Sequence, residues 1–185
     1  MIGTHEVPIY IVDFENGGNV MDNNDILIRL RYALEIKNKE MAEIFKLGGE
    51  EISVPEVVQI LKKSDDDEEE NHDQIKCNNR MLDSFLNGLI IFKRGKQEHK
   101  PGQSHAPEPP PKQSSNVNNL LLKKVKIALA LTTEEMLDIF DNAGIRVTKG
   151  ELGALLRKEG HKNYKECGDK FARKFLKGLA IKYRG

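Results

Sequence analysis

Residues 77–95 read "CNNRMLDSFLNGLIIFKRG", and residues 167–185 read "CGDKFARKFLKGLAIKYRG". Laid over each other at a shift of 90, they share eight residues of nineteen, from Cys77 and Cys167 through Gly88 and Gly178 to Gly95 and Gly185. Upstream, at a shift of 95, residues 24–63 align without a gap onto 119–158. Asn24, Ala33, Leu34, Glu40, Met41, Ile44, Phe45, Gly49, Glu56, Leu61 and Lys63 recur there as identities. The matches are collinear, so the chain is written twice: a unit of roughly seventy residues in tandem.

The pattern inside each unit is helical. Apolar residues at 26, 27, 30, 33 and 34, and again at 121, 122, 125, 128 and 129, follow the spacing of one helix face. Thr132 with Glu135 predicts a capping box that opens a second helix, which stops at Gly144, as its counterpart stops at Gly49. Ser53 with Glu56 and Thr148 with Glu151 predict two more boxes, each opening a third helix. The stretches quoted first form the fourth, with Asn79 and Asp169 read as interchangeable N-caps. The expected fold is all-α: two tandem homologous four-helix units in a pseudo-twofold arrangement. With 38% hydrophobic residues and no Trp, packing between the halves, or a homodimer, is expected to complete the core.

Four segments follow from the repeat. Residues 1–20 have no counterpart and read as an N-terminal extension, although "IYIVDF" has strand-like composition. Residues 21–95 form the first unit, with 11 basic and 16 acidic side chains and an acidic loop, "SDDDEEENHD", at 64–73. Residues 96–115 hold five of the seven prolines and read as a flexible linker. Residues 116–185 form the second unit, with 15 basic and 8 acidic side chains. The neutral total therefore hides an acidic half and a basic half.

Residues 21–185 resemble the YehS-like bacterial family, a duplicated domain of unknown function. The resemblance rests on "MDNNDILIRLRYAL", "SFLNGLIIFKRG" and "HKNYKECGDKFARKFLKGLA". It implies a duplicated, cytoplasmic helical protein and carries over no catalytic residue.

Candidate chemistry is sparse. Cys167 stands near His161 and Asp169, but Cys77 holds the same position in the first unit, and retention in both fits packing better than one active site. Tight ligand pairs are absent: His72 and His161 precede the cysteines by five and six residues, so no metal site is expected. The acidic run lacks the spacing of a calcium loop, and no phosphate-binding or hydrolase motif occurs, so no cofactor is expected. No apolar run is long enough to span a membrane, and no secretory signal is visible, which predicts a cytoplasmic protein.

What remains is basic surface. Lys123, Lys124, Lys162, Lys165, Lys170, Arg173, Lys174 and Lys177 are the candidate contacts to anions or nucleic acid. Arg173, Lys174 and Lys177 align with Asp83, Ser84 and Asn87, so only the second unit is basic here. The acidic run is a candidate internal competitor for anionic ligands. The expected function is non-catalytic: a cytoplasmic binding or adaptor protein with an unidentified protein partner. The alternative is sequence-independent nucleic-acid binding through the basic face of the second unit; an enzyme built on Cys167 is a third class.

Overall fold

The structure, a computed structural model, describes residues 21–62, 74–95 and 116–184. The expected extension, acidic loop and linker lie outside these residues. Among the described residues there are eight helices and no strand. The first unit holds α1 (Asn23–Leu34), α2 (Asn38–Leu47), α3 (Val54–Ile60) and α4 (Asn79–Arg94). The second holds α5 (Val117–Ala128), α6 (Thr133–Asn142), α7 (Lys149–Leu156) and α8 (Asp169–Arg184).

The start and stop signals act as their chemistry requires. Thr132, Ser53 and Thr148 each accept from the backbone N–H three residues on, while Glu135, Glu56 and Glu151 accept from the cap residue's own N–H. In α2, Glu40 accepts from Lys37 N at 3.2 Å, but lysine has no acceptor to return, so half the box operates. Gly49 (φ 95°) and Gly144 (φ 87°) take the left-handed conformation after α2 and α6. After α1 and α5 the same conformation falls on Glu35 (φ 52°) and Ala130 (φ 51°), equivalent residues with a Cβ to accommodate.

The expectation for the fourth helix is corrected by one residue. The N-cap of α4 is Asn78, whose side chain accepts from Met81 N at 2.8 Å. Asn79 and Asp169 are the first helical residues, and their side-chain oxygens accept the amides of Asn23 and Asn118, each at 2.8 Å. Asn and Asp interchange here because both carry that acceptor oxygen. The same two amides also donate to Cys77 O and Cys167 O, each at 3.1 Å.

Next along the chain lies a second pair of buried amides. Asn24 donates to Ile60 O (2.8 Å) and Ile75 O (2.9 Å) and accepts from Cys77 N (2.9 Å). Asn119 does the same with Leu155 O, Lys165 O and Cys167 N, at 2.9, 2.9 and 2.8 Å. Each side chain thus ties its first helix to the end of the third helix and to the chain entering the fourth.

The units meet through exchanged helices: α4 packs on α5, and α8 packs on α1. Arg94 donates to Ile127 O (3.2 Å), and Arg184 donates to Tyr32 O (3.0 Å). Residues 94 and 184 are equivalent in the repeat, as are 32 and 127, so this pair of bonds expresses the pseudo-twofold relation. At the other ends, Met21 N donates to Asp169 at 3.4 Å, Asn23 reaches Asn79, and Asn118 reaches Asp169. The two helices of each seam therefore run parallel, α1 with α8 and α4 with α5, and the starts of all four lie together. Along their flanks, α2 packs on α4 and α6 on α8. A Cβ at Gly88 would overlap the carbonyl of Ile44, and one at Gly178 that of Ile139, so glycine is what permits these crossings. Phe45 with Phe85 (centroids 5.0 Å) and Phe140 with Phe175 (5.7 Å) fill the core beneath them.

Candidate functional site

The basic residues do not form one surface. Lys124 lies in the seam between the units, 7% exposed, with its ammonium on the Asp83 carboxylate and 2.7 Å from Asn87 Oδ1. That burial removes it from the anion contacts expected of it: the lysine is consumed by the other unit. Lys123, Arg173, Lys174 and Lys177 are half-buried, on α5 and α8. Lys162, Lys165 and Lys170 are exposed, with Lys165 5.5 Å over the ring of Phe171.

The open cationic surface is therefore the connection from α7 to α8 and the first turn of α8. Arg157 and Lys158, exposed at its start, belong to it as well. They stand in the same run, "RKEGHKNYK", and lie beyond the end of the α7 apolar pattern, which is the signal that could have placed them on this surface. Glu159 and Glu166 are exposed in the same connection and dilute its charge. His161 is exposed, and its Nδ1 accepts from Asn163 N at 3.1 Å. The equivalent connection of the first unit contains the acidic run, whose proposed competition lies outside the described residues.

The cysteines are packed away. Cys77 is 6% exposed and Cys167 fully covered, each with its sulfur 3.6 Å from the next residue's carbonyl oxygen. Burial pushes both thiols up from 9.0 to about 12; Asp22 and Glu50 add to this at Cys77, and Asp169 at Cys167. At neutral pH both are protonated, the form that is neither nucleophile nor metal ligand. Among the described residues, no three His, Cys, Asp or Glu side chains gather as a metal site would require. His72 lies outside those residues. Among the described residues no helix is long and apolar enough to cross a membrane.

Comparison with known proteins returns the same duplication. A family described as "Protein of unknown function (DUF1456)" matches residues 23–95 and again residues 118–185. The chain is 40% identical over 162 residues to the uncharacterized protein YehS of Escherichia coli (strain K12), covering 88% of this chain and 96% of that one. No solved structure matches it. Two family matches across most of the chain and a near full-length relative place it: the protein belongs to the DUF1456 family, of which it carries two tandem copies.

Proposed function

We propose that the protein is a non-catalytic binding or adaptor protein of the cytoplasm. The observation that carries this reading is how the two units divide their residues. Asn24 and Asn119, Cys77 and Cys167, Gly88 and Gly178, and Arg94 and Arg184 are shared, and each makes a contact of the scaffold. What differs between the units is charge: Arg173, Lys174 and Lys177 of the second stand where the first has Asp83, Ser84 and Asn87, and exposed Lys165 stands where it has Ile75. Two unpaired thiols suit a reducing compartment. The test is affinity purification of the intact protein with and without nuclease, beside the variant Lys162→Glu/Lys165→Glu/Lys170→Glu. A protein that survives nuclease and is released by the variant supports the reading. Retention of the same proteins by the variant refutes it.

The cluster of exposed cations also favours a second reading, sequence-independent nucleic-acid binding. Each phosphate contacted contributes about −0.9 to the slope of log affinity against log salt. Binding that weakens steeply with salt and is lost in the triple variant supports this reading; binding indifferent to both excludes it.

A further inference from the structure

We propose, resting on the nucleic-acid reading above, that the α7–α8 connection and the first turn of α8 take single-stranded nucleic acid in particular. Its bases stack on Tyr164 and Phe171, and its phosphates meet the lysines around them. Three observations lead there.

First, aromatic rings and a cation arrive together in the second unit. Asn24 donates to Ile75 O and Asn119 to Lys165 O, which fixes 75 and 165 as equivalent positions although the two connections differ in length. In that register Tyr164, Lys165 and Phe171 stand where the first unit has Gln74, Ile75 and Met81. Tyr164 and Phe171 are half-buried, so each ring is held by the protein and keeps part of its surface in solvent. Every base has a π face, and rings set among cations hold single strands without reading their sequence.

Second, Lys165 and Phe171 are already paired in a way that a nucleotide can exchange. The exposed Lys165 places its ammonium 5.5 Å over the Phe171 ring. An exposed cation over a ring is a weaker contact than a base stacked on one. A base takes the ring, and the displaced ammonium meets the phosphate beside it.

Third, the surface is of mixed sign. Glu159 and Glu166 are exposed among Lys158, Lys162, Lys165 and Lys170. A duplex is stiff and carries one charge per ~1.7 Å of axis, so it sets phosphates against the carboxylates as well as the ammoniums. A single strand bends, and its phosphates can settle on the lysines. Lys170 fits the same placement. Its first-unit counterpart Arg80 lies 3.6 Å from Glu50, but the second unit has Ile145 at the position of Glu50, which offers Lys170 no carboxylate.

The test follows binding of the full chain to a fluorescent mixed-sequence oligonucleotide, alone and annealed to its complement, by anisotropy at low salt. The single strand is expected to bind at least about tenfold more tightly than the duplex. Tyr164→Leu and Phe171→Leu should each weaken the single strand about tenfold and leave the duplex unchanged, while Lys162→Glu/Lys165→Glu/Lys170→Glu releases both. A duplex bound as tightly as the single strand, or a single strand indifferent to both leucine variants, overturns the proposal; release by the triple variant then leaves the cationic reading standing. A wild type that binds neither form overturns both. Phe171 packs on the core, so its variant is first checked by helical circular dichroism. Should it unfold, Tyr164→Leu, in the connection, decides alone.

Discussion

Replacing Asp83 by alanine removes the carboxylate from a buried ammonium. The Lys124 side chain is 8% exposed and that of Asp83 16%, so little water is at hand to replace the lost partner, and only Asn87 remains as an acceptor. Breaking a buried pair by removing one member costs about 3–5 kcal/mol, and the partial exposure of Asp83 places this case near 3. Against a total stability of about 5–15 kcal/mol, that is a large fraction. With a urea m-value of about 1–3 kcal/mol per molar, the midpoint should fall by about 1 M or more. Lys124→Met should cost less, because the apolar stem is kept and the carboxylate left behind has some access to solvent. Asp83→Leu with Lys124→Met should return to within about 1 kcal/mol of the wild type, since a well-packed apolar pair replaces ions whose desolvation is costly. Urea unfolding of the wild type, Asp83→Leu, Lys124→Met and the double variant closes the cycle, with Asp83→Ala measured beside it. If Asp83→Ala costs under about 0.5 kcal/mol and the coupling is near zero, Lys124 is solvated and the seam is not packed as described.

Asn24→Ala and Asn119→Ala each leave two carbonyls and one N–H without their side-chain partner, and each should lower unfolding free energy by about 3 kcal/mol or more. Gly178→Ala tests the α6–α8 crossing: alanine adds about 1 kcal/mol of helix propensity, yet the clash with the Ile139 carbonyl should win and lower the thermal midpoint. A higher midpoint would refute the close approach. The thiol pKa values of about 12 lie above the ordinary 9.0, so the folded state holds protons the unfolded state releases. The stability this contributes is fully present below pH 9.0 and lost as pH rises toward about 12, and Cys77→Ala/Cys167→Ala should flatten that alkaline decline in a pH series of urea melts. In the native protein at pH 8, both thiols should react with a disulfide reagent about a thousandfold more slowly than in urea.

Local chemistry was the legible part of this chain. The capping boxes at Ser53, Thr132 and Thr148 and the glycines at 49 and 144 specify backbone geometry within a few residues, and the repeat let each signal be read twice. The seam was less legible, because an apolar stripe shows that a face is covered without naming what covers it. Lys124 read as surface because Lys123 and Lys126 flank it, while the Asp83 that buries it lies 41 residues away. Glu35 and Ala130 take a left-handed conformation without glycine, imposed by the tight return into the following helix. Asn24 stood out as an identity, but its three hydrogen bonds join segments up to 53 residues apart.

The parallel seams also bear on how the two copies are able to diverge. In a symmetric homodimer every substitution is installed twice, once at each seam, so a residue must suit both partners at once. Joined in one gene, the copies are released from that constraint. Asp83 answers Lys124 at one seam, while the same two positions hold Arg173 and Arg29 at the other. Heredity can then act on each seam separately, and a charge acquired by one copy need not be tolerated by the other. An acidic half and a basic half within a single scaffold are what that freedom allows.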